Sequence, residues 1–262
     1  MAQSDSITYT PKITGTIRPK FEQNLNNGMG RFNVRNARYK VFGNTTKQIG
    51  YTAELDLSDE GELKMLDAHV KIALNKNFIF YLGQAKIPFS TDNLRSPHEI
   101  LFANRSFIAK RICKNLRDIG VMAEYKNTTF AFPFLIKSGI FNGEGINNPE
   151  WEERYNYAAR IELQPLKNFD MSGNYYTGLM NNNNFQMFGF GFSYSMDNWH
   201  FESEYSEKYT YTDSADIRSG AMFATILYHI YLNNKILKYI TPAARYDMYD
   251  GNYTIDKYEP GR

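Results

Sequence analysis

Most of the sequence consists of segments of roughly ten residues in which apolar and polar residues alternate, separated by turns rich in Asn, Gly and Asp. Residues 48–58 show this alternation most clearly. One face carries the apolar or aromatic residues Ile49, Tyr51, Ala53, Leu55 and Leu57, and the other face carries Thr52, Glu54, Asp56 and Ser58. A period of two residues predicts β-strands with one apolar and one polar face. No helical periodicity persists over three turns, so we expect an all-β chain.

Thirteen such segments are expected to form one antiparallel sheet in a single domain that covers residues 1–262. The predicted strands are residues 14–22, 31–42, 48–58, 63–74, 78–89, 118–126, 130–141, 155–164, 169–179, 185–196, 198–209, 217–228 and 237–249. No Pro-rich linker or low-complexity tract divides the chain.

Alternating strands suit either a soluble sandwich, whose apolar faces meet in a core, or a transmembrane β-barrel, whose apolar face points outward. The chain contains 20 Tyr and 19 Phe, yet its mean hydropathy is −0.53. This composition is typical of a barrel with aromatic girdles. Short connections, such as residues 75–77, mostly alternate with long ones, such as residues 90–117 and 144–154. We therefore expect an antiparallel transmembrane β-barrel, and the alternative is a soluble or surface-exposed, aromatic-rich β protein that binds glycans.

Several other classes of function are not expected. The formal net charge is +2 and the chain has no compact run of Lys and Arg, which disfavours a nucleic-acid partner. Cys113 is the single cysteine, so there is neither an internal disulfide nor a zinc-binding Cys/His motif. The four His are scattered and no catalytic motif is present. We expect no enzyme activity, cofactor or metal.

A long basic segment is the best indication of function. Residues 90–117 contain six Arg and Lys against two acids, Asp92 and Glu99. A long basic loop between barrel strands suggests a constriction that selects anions. The candidate selectivity residues are Arg95, Arg105, Lys110, Arg111, Lys114 and Arg117 on this loop, with Lys86, Arg31 and Arg35 on the wall. The alternative for each residue is an ordinary solvated charge on a loop or rim.

A series of short motifs also carries a family resemblance. The motifs are residues 31–38, 51–58, 83–90, 104–106, 117–121 and 242–247. In order and spacing they resemble the phosphate-selective porins O and P, in a version typical of Bacteroidetes-like bacteria. The resemblance implies a sixteen-stranded outer-membrane barrel that forms a homotrimer, with a third loop that folds inward and narrows the pore. It further implies passive diffusion of small inorganic anions, such as phosphate or polyphosphate, through a pore surrounded by outer-membrane lipid.

The sequence departs from this family at two places. Asn104 stands where family members usually carry Glu, and Asn115-Leu116 where they carry Pro-Gly, so we expect a differently shaped constriction. Residues 259–262 resemble a turn, and about three C-terminal strands of the family are expected to be missing. The first residues contain no signal peptide, and Ala2-Gln3 resembles the start of a processed, exported chain, so we expect location in the bacterial outer membrane.

Overall fold

In a computed structural model, residues 9–59, 62–114, 116–151, 153–213, 215–234 and 237–256 are described. Thirteen strands form one antiparallel sheet in the order β1 to β12, followed by β15. These strands are β1 (Lys12–Gln23), β2 (Gly30–Asn44), β3 (Ile49–Asp59), β4 (Glu62–Ala73), β5 (Phe78–Lys86), β6 (Arg117–Asn127), β7 (Phe134–Phe141), β8 (Asn156–Leu166), β9 (Phe169–Met180), β10 (Asn183–Met196), β11 (Trp199–Tyr211), β12 (Ala215–Tyr228) and β15 (Ala243–Asp256). The two-residue strands β13 (Ile230–Tyr231) and β14 (Tyr239–Ile240) form a separate ribbon.

Each predicted strand corresponds to one strand of the large sheet; the largest difference is that β15 ends at Asp256 rather than at residue 249, and prolines explain several of the others. Proline has no N–H to donate to a strand ladder. Accordingly, β5 ends before Pro88, β7 begins after Pro133, and β15 begins after Pro242. The predicted turn at residues 259–262 and the residues before Tyr9 lie outside the described ranges.

Most connections at the end of the sheet where β2 joins β3, which we call the short-turn end, are short, and Asn and Asp make tight turns possible at both ends of the sheet. Asn168 and Asp197 adopt positive φ angles of 62° and 51° in the turns after β8 and β10. Asn181 and Asn182 both have positive φ between β9 and β10. Asn and Asp tolerate this left-handed conformation better than other residues with a side chain, so these turns can reverse the chain within two residues.

The sheet buries polar side chains and exposes apolar ones. Asp56 on β3 is fully buried and Glu204 on β11 is 1% exposed, whereas the neighbouring Leu57 and Tyr205 are 55% and 44% exposed. A soluble sandwich would show the opposite arrangement, with apolar faces packed together. The inward polar and outward apolar faces are those of a transmembrane barrel, as predicted. Among the described residues, no helix is long and apolar enough to span a bilayer.

Aromatic side chains gather at the short-turn end of the strands. Three cross-strand pairs lie within 4.5 to 6.2 Å between ring centroids, namely Trp199 with Tyr228, Phe78 with Tyr125, and Phe169 with Tyr194. Each pair joins the first residues of one strand to the last residues of its neighbour. This position is the one that an interfacial aromatic girdle occupies in a barrel.

A hydrophobic core forms on the polar side of the sheet, where the connection between β5 and β6 packs against the wall. We call this connection, residues 87–116, the constriction loop. It contains a short α-helix, α1 (Thr91–Leu94), a 3₁₀ turn (Pro97–Glu99) and a π-helical turn (Ile108–Ile112). The buried core side chains of the loop are Ile87, Phe89, Ile108, Ile112, Cys113 and Leu116, and those of the wall include Met122, Phe141, Tyr176, Phe185 and Phe223. Burial of these residues holds the loop inside the sheet, because apolar surface removed from water stabilises the folded state.

Candidate functional site

The constriction loop turns inward directly after β5. Ser90 adopts a φ of 64°, and its hydroxyl oxygen accepts a hydrogen bond from the Asn93 N–H at the start of α1. The Thr91 N–H donates to Oε2 of Glu204 on β11 at 3.0 Å. The root of the loop is therefore fixed to a strand on the other side of the sheet.

Arg105 ties the two halves of the loop together. Its guanidinium donates to the carbonyl oxygens of Asp92 and Arg95, the latter at 2.6 Å. The buried Asp92 carboxylate accepts hydrogen bonds from the N–H and the hydroxyl of Ser106, both at 2.8 Å. Burial lowers the pKa of Arg105 to about 10, so the residue is charged at neutral pH. All the hydrogen bonds that Arg105 donates go to the loop's own backbone.

Other contacts attach the loop to the inner wall. Arg95 forms a two-pronged ion pair with Glu202 on β11, with Nη1 to Oε1 at 2.8 Å. Burial alone would lower the pKa of Arg95, but the hydrogen bonds and charge of Glu202 outweigh it and raise the pKa. Farther along the loop, the Phe107 N–H donates to Asp247 on β15 at 3.0 Å, and the Arg245 guanidinium lies 4.6 Å from the Phe102 ring centroid.

Three further predicted selectivity residues are also engaged. Arg117 pairs with Asp67 at 2.8 Å, with both side chains largely buried. Lys86 donates from Nζ to the carbonyl oxygens at Leu94 and Arg95, at 2.6 and 3.0 Å. Arg31 pairs with Glu22 at 2.8 Å near the β1–β2 connection, and its side chain is 68% exposed. Lys86 therefore holds the loop, Arg117 joins β6 to β4, and Arg31 sits at the rim.

Arg111 lies apart from them. Its side chain is exposed, and its guanidinium carbon stands 6.0 Å from the ring centroid of Tyr249 on β15. The residue makes a cation–π contact there, which further attaches the loop to this strand.

A cavity of about 500 Å³, which we call the basic cavity, lies between the constriction loop and strands β1, β2 and β4. Its charged lining residues are Arg18, Arg35, Arg38, Lys64, Arg105, Lys110, Lys114 and one acid, Glu62. Arg38 pairs with Asp56 at 3.0 Å, and Lys64 pairs with Glu62 at 3.0 Å. The cavity combines a strong excess of positive charge with a polar wall.

Four of these cations have no acidic partner among the residues that the structure describes, namely Arg18, Arg35, Lys110 and Lys114. Arg35 donates to the Ala103 carbonyl oxygen and to the Asn104 side-chain oxygen, the latter at 3.0 Å. Partial burial, followed by the nearby charges of Arg35 and Arg245, lowers the pKa of Lys110. Positive charge is thus concentrated in this cavity, and these four cations form no ion pair with an acid in the described ranges.

Arg18, Arg38 and Lys64 were not among the residues predicted from the sequence. Arg18 could have been found from the alternation along β1. Ile13 and Ile17 lie on the outer face, at 61% and 76% exposure, and Arg18, which directly follows Ile17, therefore lies on the opposite, inner face. The pairing of β1 with β2 shifts by one residue at Arg18 and Pro19. This bulge lets both Arg35 and Asn36 line the basic cavity, which strict alternation would not allow. Across the described residues, no group of three or more His, Cys, Asp or Glu side chains is arranged to hold a metal ion.

A single antiparallel sheet with an apolar outer face, a polar inner face and a loop folded across the interior defines an outer-membrane porin barrel. Among solved structures, the anion-selective porin from Comamonas acidovorans is similar with a TM-score of 0.66 and 12% identity, over 92% of this chain and 80% of that one. A porin structure refined at 1.8 Å resolution is similar with a TM-score of 0.55 and 12% identity, over 94% of this chain and 86% of that one. At these identities the similarity shows the fold.

The family follows from the sequence. The sequence model of the phosphate-selective porin O and P family matches residues 15–199, and the chain belongs to that family. The predicted resemblance is confirmed, and the protein is a porin of the bacterial outer membrane. A comparison with curated proteins gives no match.

Proposed function

We propose that this porin lets small inorganic anions diffuse passively through a water-filled pore, and that the basic cavity selects them. One observation carries the proposal: Arg18, Arg35, Lys110 and Lys114 surround a cavity of about 500 Å³ without an acidic partner among the described residues. Unpaired cations at a narrow point attract anions and replace part of their hydration shell. The same charges repel cations, so the current is carried mainly by anions.

Phosphate is the anion that we propose as a physiological solute. The guanidinium groups of Arg18 and Arg35 offer planar pairs of donors that match two phosphate oxygens, whereas Lys110 and Lys114 act as point charges. The family name supports this assignment. Polyphosphate is a longer anion of the same chemistry, and Arg18, Arg35, Lys110 and Lys114 together offer it several positive charges around the basic cavity.

The loop cations divide into two groups under this proposal. Lys110 and Lys114 face the basic cavity and act on the anion directly. Arg95 and Arg105 are occupied by a carboxylate or by carbonyl oxygens and set the position of the loop, whereas Arg117, predicted on the loop, is the first residue of β6 and is paired with Asp67 on β4. We propose that the protein is a channel that does no chemistry on its solute and needs no cofactor.

The assembly that we propose is one barrel domain per chain in a homotrimer surrounded by outer-membrane lipid. The apolar outer face, which includes Phe188, Phe190 and Phe192 at 41–49% exposure, is suited to contact lipid or a neighbouring subunit. The trimer is an expectation from the family resemblance. Chemical crosslinking of the native porin in detergent should give a three-chain species.

Charge reversal within the basic cavity tests the proposed selectivity. The double variant Lys110→Glu, Lys114→Glu should shift the zero-current potential of the porin in a planar bilayer toward cation selectivity. Arg105 is left intact because it holds the loop. A matched control is Lys47→Glu, Lys76→Glu, since both lysines are exposed on short turns outside the cavity. An equal shift in both double variants, or no shift in the first, would contradict the assignment.

A further inference from the structure

The constriction loop separates the basic cavity from a second cavity of about 410 Å³ on the side of strands β8 to β11. The charged and titratable residues that line this second cavity are Arg95, Lys126, Arg160, Glu162, Asp170, His200, Glu202 and Glu204. The two cavities have similar volumes but opposite charge balance. Acids outnumber Arg and Lys in the second cavity, whereas cations dominate the first.

Carboxylates neutralise the two arginines of the second cavity. Arg95 donates to both oxygens of Glu202, and Arg160 donates from Nε to Glu162 at 2.7 Å. Lys126 is exposed at the short-turn end of β6. The interior of the second cavity therefore holds no arginine with uncompensated charge among the described residues.

Glu202 is placed to control Arg95 specifically. The Glu202 side chain is only 6% exposed, while the Arg95 side chain retains 25% exposure and lines the cavity. His200 lies behind the carboxylate, with Nε2 at 3.6 Å from Oε2 of Glu202, and Nδ1 of His200 is hydrogen-bonded to the Ser195 hydroxyl at 2.8 Å. The carboxylate is thus fixed from one side by its own strand and from the other by the loop.

We infer that Glu202 is a specificity-determining residue of the pore: by neutralising Arg95, it prevents the second cavity from carrying anions and confines them to the basic cavity. This inference rests on the proposed anion-selective function. Without the carboxylate charge of Glu202, Arg95 would lose its paired counter-charge in a cavity of about 410 Å³. Anions would then gain a second route on the other side of the loop.

The test compares Glu202→Gln with Arg95→Gln by zero-current potential and single-channel conductance in potassium chloride gradients. Glutamine preserves the size of Glu202 and can still accept a hydrogen bond from Arg95, so the loop keeps an attachment. Glu202→Gln should raise the anion-to-cation permeability ratio about fivefold at low salt, because one unit charge at roughly 8 Å in water raises the anion occupancy about twofold and lowers the cation occupancy about twofold. Arg95→Gln leaves Glu202 unpaired and should lower the ratio.

The opposite signs separate charge control from simple loosening of the loop. If the Arg95–Glu202 pair only held the loop in place, both variants would change the ratio in the same direction, and the inference would be overturned. Asp170→Asn is the control, because Asp170 lines the same cavity but is exposed and hydrogen-bonded to Gln164 at 3.1 Å rather than to a cation, so solvent screens its charge and a much smaller rise is expected. A rise in Asp170→Asn equal to that in Glu202→Gln would also overturn the inference.

Failure of this inference is distinguishable from failure of the proposed function. A wild-type porin that prefers anions, with Glu202→Gln unchanged from it, would overturn the inference alone. A wild-type porin without anion preference would overturn the proposed function and the inference with it. Unheated gel mobility equal to that of wild type verifies that each variant has folded as a barrel.

Discussion

Neutralising Lys110 should weaken the preference for anions in proportion to the charge of the anion. Lys110 lies on the π-helical turn of the constriction loop and lines the basic cavity. Its ammonium has no acidic partner among the described residues. Lys110→Gln removes this charge while retaining a polar side chain of similar reach, and the backbone hydrogen bond from its N–H to the Ser106 carbonyl oxygen is unaffected.

The size of the effect follows from the cavity. A sphere of 500 Å³ has a radius of about 5 Å, which places each lining charge roughly 8 Å from the centre, where one unit charge contributes about 0.5 kcal/mol in water. Loss of Lys110 should therefore lower the occupancy of a monovalent anion about twofold and that of a dianion about fivefold. Salt near 0.1 M, with a Debye length of about 10 Å, should reduce these energies by roughly half.

The assay is single-channel recording at low salt, with chloride as the permeant anion and hydrogen phosphate as a blocker. Lys110→Gln should weaken phosphate block more than it lowers chloride conductance, in about the ratio of the two valences in free energy. Lys47→Gln, on an exposed turn, should leave both unchanged. Equal small losses for chloride and phosphate in Lys110→Gln would refute the electrostatic reasoning, because they would indicate a steric effect.

Three other predictions follow from the same structure. Partial burial and neighbouring arginines lower the pKa of Lys110, so it loses its charge at a lower pH than an ordinary lysine. Wild-type anion selectivity should therefore begin to fall at a pH below the range in which an ordinary lysine titrates, and Lys110→Gln should show a smaller fall, measured as zero-current potential against pH. Burial raises the pKa of the Cys113 thiol, which donates to the Ile108 carbonyl oxygen at 3.3 Å. A maleimide should therefore label the unfolded chain quickly and the folded porin hardly at all. Rapid labelling of the folded porin would contradict this packing. Phe89 is fully buried beneath the loop, so Phe89→Ala should reduce the packing free energy that holds the loop by about 3–5 kcal/mol. Single-channel currents should become larger and noisier while the barrel retains its gel mobility. Currents like those of wild type would show that Phe89 does not hold the loop.

The barrel architecture was largely predictable from the sequence because a strand with one face in lipid and one in water must alternate strictly. All thirteen predicted segments overlap strands of the large sheet. Strand β15 extends to Asp256, past its predicted end at Tyr249, but the other large differences lie where proline interrupts hydrogen bonding, at Pro88, Pro133 and Pro242. Closer attention to proline would have corrected these ends.

The roles of individual cations were less predictable, because they depend on partners far away in the sequence. Arg95 is 107 residues from Glu202, and Arg117 is 50 residues from Asp67. Neither ion pair has a local sequence signal. The basic loop was therefore recognisable from the sequence, but which of its cations are paired and which line the basic cavity was not. Arg18 is different, since alternation along β1 alone places it on the inner face.

The sign of the zero-current potential of the wild-type porin, in a planar bilayer under a potassium chloride gradient, tests the central claim most directly. Unpaired cations around the basic cavity predict a potential of the sign that chloride permeation produces, and added phosphate should reduce the chloride current. A potential of the opposite sign, or one close to zero, would contradict the proposal that the basic cavity selects anions.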